Sequence, residues 1–245
     1  MPKFLTFFLF SFAFLEVFAQ AQIKLDTTTW IDKSRNRIIP VAFFSKKTDR
    51  NLKKQPVVIF SHGYGQNQGG DYLMYSYLTN KLAEEGYYVV SIQHELKSDE
   101  LIPTSGIPQV VRRPFWDRGA DNILFVINKL KKQKPKLDFE NITLIGHSNG
   151  GDMTALFPQK YPNIVNKIIT LDNRRMALPR TPKVYSLRSS DQPADNGVLP
   201  TEDEQKRFGI KIIKLPNTIH NDMDNDANEA QRKEINDYIL YFLKE

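Results

Sequence analysis

Residues 141–151 read Asn-Ile-Thr-Leu-Ile-Gly-His-Ser-Asn-Gly-Gly, and this stretch decides the fold. An apolar run stops at Gly146, Ser148 is framed by Gly146 and Gly150, and a helical pattern follows from Asp152. A buried strand, this tight turn and a helix make the Gly-x-Ser-x-Gly nucleophile elbow. Glycine is needed on both sides because a side chain there would collide with the turn. The elbow places the serine hydroxyl at a helix N-terminus, where N–H groups favour developing negative charge, so we predict Ser148 as a nucleophile.

The rest of the chain alternates between strand and helix patterns. Such alternation predicts an α/β fold, a mostly parallel central sheet with helices on both faces. The short segment between Asp172 and Lys183 leaves no room for a large lid domain, so any cover over the site must come from the loop Lys97–Arg113. The predicted strands are Ile23–Trp30 and Arg37–Phe44 (an antiparallel pair), Pro56–Phe60, Tyr87–Ile92, the elbow strand, Ile164–Leu171, Val184–Leu187 and Ile210–Leu215. The predicted helices are Tyr72–Ala83, Asp117–Lys132, the elbow helix, Glu202–Phe208 and Asn228–Leu243.

The first 21 residues have the pattern of a secretory signal peptide. Lys3 precedes an apolar run, Phe4–Leu15, and small residues at Ala19 and Ala21 offer cleavage sites. We therefore expect export to the periplasm or medium and one mature domain over residues 22–245, with no membrane span after cleavage; an uncleaved anchor is the alternative. The chain has no cysteine, which excludes disulfides and a lipidated cysteine. Its formal charge of +6 is dispersed and no nucleic-acid-binding motif accompanies it, so we expect no nucleic-acid partner.

A serine hydroxyl needs a base within hydrogen-bond reach, and the chain offers four histidines. His220 follows the last predicted strand, which matches the order nucleophile, acid, base of this fold, so we predict it as the base. His147 lies inside the elbow, where its side chain is expected to point away from that of Ser148. His62 and His94 are expected to hydrogen-bond loop backbone.

The acid that orients the base should lie at a strand end between Ser148 and His220. Asp172 ends one candidate strand, while Asp191 and Asp195 follow the next, and spacing does not separate them. Asp222, Asp224 and Asp226 come too late in the chain. They begin like a calcium-binding loop, but Ala227 and Lys233 stand where that loop needs glycine and glutamate, so we predict no metal site.

Two backbone N–H groups are predicted to form the oxyanion hole. One belongs to Asn149, which follows the nucleophile, and the other to Tyr64, in the turn after the first buried strand. No metal or organic cofactor is needed for this chemistry.

Four motifs make the chain resemble an α/β-hydrolase. They are Phe60-Ser61-His62-Gly63, Gln93-His94-Glu95, Gly146-His147-Ser148-Asn149-Gly150-Gly151, and Leu171-Asp172 followed by Met176. Within that superfamily the chain resembles the secreted platelet-activating-factor acetylhydrolases and related bacterial esterases, although it is shorter between His94 and Ser148. The resemblance implies Asp172 as the acid, whereas the more common hydrolase arrangement implies Asp191.

The sequence thus predicts a secreted serine hydrolase that cleaves carboxylic esters, with a small-molecule or lipid-like substrate. Cleavage of an amide, thioester or polysaccharide ester by the same residues is the alternative, and a non-catalytic binding protein on the same fold is a further one. Four arginines in loops near the site allow an anionic substrate, unless they pair with surface carboxylates: Arg112, Arg113, Arg174 and Arg175. Trp116 either lines the acyl pocket or anchors its helix.

Overall fold

The computed structural model describes residues 22–46 and 54–245. The predicted signal peptide therefore lies outside the described residues. Among the helices of these two ranges, none is both long and apolar enough to cross a bilayer.

Eight strands form one sheet in the order β1-β2-β4-β3-β5-β6-β7-β8. β1 and β2 are an antiparallel hairpin that pairs antiparallel with β4, and the remaining neighbours are parallel. The predicted α/β class with a mostly parallel sheet is confirmed, and the described residues contain no inserted lid domain. The strands are β1 (Ile23–Asp32), β2 (Arg37–Lys46), β3 (Pro56–Ser61), β4 (Tyr88–Ile92), β5 (Asp138–His147), β6 (Lys167–Leu171), β7 (Lys183–Arg188) and β8 (Lys211–Lys214).

Helices cover both faces of the sheet because the buried strands are apolar on both sides. In β3, Val57 and Ile59 pack into the cluster that holds helix α3, while Val58 and Phe60 pack into the cluster that holds α1 and α6. Successive side chains of a strand point to opposite faces, which explains this division. The helices are α1 (Ser76–Glu84), α2 (Pro108–Val111), α3 (Arg113–Gln133), α4 (Ser148–Lys160), α5 (Glu202–Phe208) and α6 (Glu229–Lys244), with 3₁₀ turns at Asp71–Leu73 and His220–Met223.

Several predicted boundaries differ from the structure. The helix predicted over Tyr72–Ala83 is a 3₁₀ turn followed by α1, and β6 begins at Lys167 rather than Ile164. Helix α3 begins at Arg113, four residues before the predicted start, with Pro114 in its first turn. Proline is tolerated there because the first N–H groups of a helix have no helical partner. The predicted loop Lys97–Arg113 is consequently shorter and contains α2.

Candidate active site

The elbow joins β5 directly to α4, and Ser148 is the first residue of that helix. Its φ of 53° lies in the left-handed region, which non-glycine residues occupy uncommonly. A Cβ at Gly150 would lie 2.3 Å from the carbonyl oxygen of His62, and one at Gly146 would lie 2.3 Å from that of Gly150. Both glycines are therefore required by backbone approach, as the motif predicts, and the turn raises Ser148 above the carboxyl edge of the sheet.

Three predicted residues meet at this edge. The Nε2 atom of His220 lies 2.9 Å from Oγ of Ser148, and its Nδ1 atom lies 2.5 Å from Oδ2 of Asp172. Ser148 follows β5, Asp172 follows β6, and His220 lies in the 3₁₀ turn after β8. Because parallel strands end at one edge, residues 24 and 48 positions apart come into hydrogen-bond contact.

The carboxylate of Asp172 is fully buried and fully engaged. Nη2 of Arg188 lies 3.0 Å from Oδ1, the hydroxyl of Ser189 donates to Oδ2 at 2.7 Å, and the Ser189 N–H donates to Oδ1 at 3.1 Å. Burial alone would raise the pKa of Asp172, but the hydrogen bond to His220, the Arg188 charge and the bonds from Ser189 outweigh it and lower that pKa below its usual 3.8. Asp172 is therefore ionised at neutral pH, facing the imidazole.

Sequence reasoning did not find Arg188 or Ser189. The available signal was an arginine at the end of the apolar strand β7, directly beside the strand β6 that precedes Asp172. A charge in that position needs a buried partner.

The alternative acids occupy other positions. Oδ1 of Asp191 accepts the backbone N–H of His220 at 2.8 Å, so Asp191 supports the turn and not the imidazole. Oδ2 of Asp195 accepts from Gln109, on the neighbouring α2. The structure thus brings Asp172 to the ring of His220, and the assignment of a catalytic role to any of these acids stays a prediction.

His147 departs from its expected orientation. Its ring lies 4.7 Å from the ring of His220, centroid to centroid, and its Nδ1 atom lies 2.7 Å from the hydroxyl of Tyr75. The prediction that His147 points away from the nucleophile was wrong, since His147 and Ser148 line the same cleft. Burial, followed by the nearby His220, lowers the pKa of His147 to about 3, so the ring is neutral.

The two predicted oxyanion donors lie close to Ser148. A Cβ on Gly63 would be 3.4 Å from Cβ of Ser148, which places the Gly63–Tyr64 turn beside the nucleophile. Asn149 lies in the first turn of α4, where an N–H has no carbonyl partner within the helix. The side chain of Asn149 is held on both sides, since Glu95 Oε1 accepts from it at 3.0 Å and Nε1 of Trp116 donates to it at 2.8 Å. Trp116 is fully buried and anchors α3 against the elbow.

A cleft of about 240 Å³ opens over Ser148 and His220. Tyr64, Met74 and Tyr75 form part of its wall, and three carboxylates also line it: Asp71, Asp224 and Asp226. It is smaller than the usual range for pockets that take drug-sized ligands. It therefore suits a small group at the reacting centre.

The arginines predicted to border the site are not among the residues described as lining this cleft. Arg113 pairs with Asp117 at 3.0 Å, Arg112 donates to the carbonyl of Pro103, and Arg174 donates to Gln192. The backbone N–H of Arg175 donates to Oδ1 of Asp152 at 2.9 Å. None of these four arginines thus lines the cleft over Ser148, and an anionic substrate stays a prediction.

The remaining histidines lie beneath the site. Nδ1 of His62 lies 2.6 Å from the carbonyl oxygen of Gly63, which agrees with the predicted contact to loop backbone. Nε2 of His94 instead contacts a side chain, the hydroxyl of Ser61, at 2.9 Å. Within residues 22–46 and 54–245, no cluster of three or more His, Asp or Glu side chains is arranged to hold a metal ion.

The sheet order, the elbow and the site at the carboxyl edge define an α/β-hydrolase fold. A family model matches residues 45–174, over half of the chain, and the protein belongs to that family, BD-FAE. No curated protein matches the sequence. The narrower resemblance to platelet-activating-factor acetylhydrolases stays a prediction.

Solved structures of low sequence identity share the fold. An esterase from the fungus Rhizomucor miehei is 15% identical with a TM-score of 0.64, and the match covers 93% of this chain and 84% of that one. A bacterial heroin esterase is 14% identical with a TM-score of 0.63, covering 90% and 83%. A Bacteroides ovatus protein described as a dipeptidyl aminopeptidase IV is 16% identical with a TM-score of 0.61; the match covers 92% of this chain but 36% of that one. This chain thus spans about a third of that protein.

Proposed function

We propose that the protein is a serine hydrolase that cleaves small carboxylic esters through Ser148, His220 and Asp172. The observation that carries the proposal is the unbroken hydrogen-bond chain from Ser148 Oγ through both ring nitrogens of His220 to the buried Asp172. A serine, an imidazole and a carboxylate in this order are the parts of nucleophilic acyl transfer.

The chemistry follows from the proton each group holds. His220 Nε2 takes the proton of Ser148 as Oγ attacks the acyl carbon, and Asp172 stabilises the resulting imidazolium. The N–H groups of Tyr64 and Asn149 bind the oxyanion. The ester C–O bond then breaks and the leaving alkoxide takes the proton from His220. In the second half, His220 deprotonates a water that attacks the acyl-enzyme, and Ser148 is regenerated with its proton.

The size and lining of the cleft support a small polar ester over a long-chain lipid ester. Its volume is about 240 Å³, and three of its lining residues are aspartates. A long acyl chain would need an extended apolar wall, because each buried methylene contributes roughly 0.8 kcal/mol only when it leaves water.

A labelling experiment tests the nucleophile. An alkyl fluorophosphonate probe should label the wild-type protein, and Ser148→Ala should abolish both labelling and hydrolysis of p-nitrophenyl acetate. Unchanged turnover by Ser148→Ala would overturn the proposal, and a folded wild-type protein that neither labels nor hydrolyses any ester would favour a binding protein on this fold. A panel of esters of rising chain length, thioesters, acetylated polysaccharide and peptide amides then decides the bond that is cleaved.

We also propose that the protein is exported, on the basis of the apolar N-terminal run described above. Expression of the full chain in a bacterium should give a mature N-terminus near residue 20–22 by N-terminal sequencing. Recovery of the uncleaved chain in the cytosol would contradict export.

A further inference from the structure

Buried side chains hold the two peptide units that flank Gly63. Its carbonyl oxygen, that of Gly63, lies 2.6 Å from Nδ1 of His62. The N–H of Gly63, one peptide earlier, donates to the hydroxyl of Tyr75 at 3.0 Å. Both side chains are buried, with 1% of His62 and 3% of Tyr75 exposed, so bulk water does not replace either contact.

The contacts of His62 determine its tautomer. The backbone N–H of His94 donates to Nε2 of His62 at 3.0 Å, and the side-chain nitrogen of Gln93 lies 3.2 Å from the same atom. A ring nitrogen that accepts a hydrogen bond carries no proton, so the proton of the neutral ring is on Nδ1. Nδ1 is therefore the donor, and the carbonyl oxygen of Gly63 is its acceptor.

The hydrogen bond to the Gly63 carbonyl also fixes the direction of the Tyr64 N–H. The C=O of Gly63 and the N–H of Tyr64 belong to one planar trans peptide, and they point in opposite directions. Within the described part of the chain, no hydrogen bond uses the Tyr64 N–H. The turn lies beside Ser148, since a Cβ on Gly63 would be 3.4 Å from that of Ser148.

We infer that His62 is a positioning residue for the hydrolysis: its Nδ1–H holds the Gly63 carbonyl and thereby aims the Tyr64 N–H at the oxyanion. The inference rests on the proposed function. Tyr75 secures the preceding peptide, because its hydroxyl accepts from Gly63 and lies 2.7 Å from Nδ1 of His147. A donor aimed before the reaction needs no reorganisation when the negative charge develops, which is why such donors accelerate acyl transfer.

Two isosteric variants separate aiming from packing. In His62→Asn the amide nitrogen reaches the position of Nδ1 and keeps a donor for the Gly63 carbonyl. In His62→Gln the amide reaches the position of Nε2 and leaves that carbonyl without its donor. Loss of one oxyanion donor lowers kcat by about 10²–10³, so a donor that is present but misaimed should lower it by about 10–10². We expect this loss in His62→Gln with KM nearly unchanged, and a much smaller loss in His62→Asn.

A second readout distinguishes the oxyanion from a general loss of structure. The affinity for an alkyl boronic acid, which forms a tetrahedral adduct with the serine, should fall in His62→Gln by about the same factor as kcat/KM. If His62→Gln does not fold, Tyr75→Phe replaces it, because it removes the acceptor of the Gly63 N–H and should give the same pattern. Equal losses in His62→Asn and His62→Gln, or a fall in kcat without a fall in boronate affinity, would overturn the inference. These outcomes differ from the result that would overturn the proposed function itself. That result is turnover by Ser148→Ala at the wild-type rate, and it does not depend on the His62 variants.

Discussion

Asp172→Asn tests the hydrogen-bond chain most directly. The amide keeps the shape of the carboxylate but removes the charge that faces Nδ1 of His220 at 2.5 Å. An amide nitrogen in that position donates, so Nδ1 must accept and the ring proton moves to Nε2, which can then no longer accept the proton of Ser148. The equivalent replacement in a serine protease lowers kcat by about 10⁴. We expect a loss of that order, or about 5 kcal/mol at 1.36 kcal/mol per tenfold change in rate.

The same substitution also affects stability, and the structure gives the size of that effect. Arg188 lies 3.0 Å from the carboxylate and its side chain is 7% exposed, so Asp172→Asn leaves a buried cation without its partner. Breaking a buried ion pair costs about 3–5 kcal/mol. For a domain of this size, each kcal/mol corresponds to about 2–4 °C in Tm, which predicts a fall in Tm of about 6–20 °C.

Two further variants separate catalysis from stability. Replacing both members of the pair, Asp172→Asn with Arg188→Leu, should recover most of the Tm because no buried charge remains, but it should not recover kcat. Asp191→Asn is the matched control: its amide oxygen can still accept the His220 N–H that Asp191 accepts at 2.8 Å, so kcat should fall less than tenfold.

The assay is steady-state hydrolysis of p-nitrophenyl acetate at pH 8, with thermal unfolding followed by circular dichroism on each variant. A kcat for Asp172→Asn above a tenth of the wild-type value would refute the reasoning. So would a larger loss in Asp191→Asn than in Asp172→Asn, which would make Asp191 the acid.

Three other predictions concern a glycine of the elbow, a buried carboxyl group and a buried tryptophan. Gly150→Ala puts a Cβ 2.3 Å from a backbone oxygen and should prevent soluble expression. Gly197→Ala is the control: its Cβ has nothing within 4 Å, so its positive φ should lower the free energy of unfolding by only about 1 kcal/mol. Equal soluble yields of the two variants would contradict this prediction. Burial raises the pKa of Asp152 to about 6. Because the folded protein then binds this proton more tightly than the unfolded chain does, the free energy of unfolding falls by about 3 kcal/mol as the pH rises from 3.8 to 6. Asp152→Asn should therefore raise Tm at pH 8 but not at pH 4, and a shift independent of pH would count against this prediction. Trp116→Phe removes the donor to the buried Asn149 side chain and should lower the free energy of unfolding by about 1–3 kcal/mol, as measured by urea titration. An unchanged urea midpoint would contradict this prediction.

Much of the fold follows from local pattern. The apolar run of β3 predicts a strand buried on both faces, and the helical spacing of Asn228–Leu243 predicts α6 to within one residue at each end. The ends of helices were less predictable where the local sequence is compatible with two starting positions. Pro114 is compatible with a helix only in its first turn, and nothing in the neighbouring residues shows that α3 begins there and not after it.

The sequence by itself determined the elbow at Ser148, because Gly146 and Gly150 meet steric demands of the turn that do not depend on the rest of the molecule. It also determined that His220 is the histidine late enough in the chain to reach it. Only the tertiary structure showed which of Asp172 and Asp191 faces the ring of His220, since both follow neighbouring strands and the contact depends on a separation of a few ångströms across the sheet edge. The position of the His147 ring, 4.7 Å from that of His220, was likewise out of reach of the sequence, because it depends on how residues far apart in the chain meet at the sheet edge.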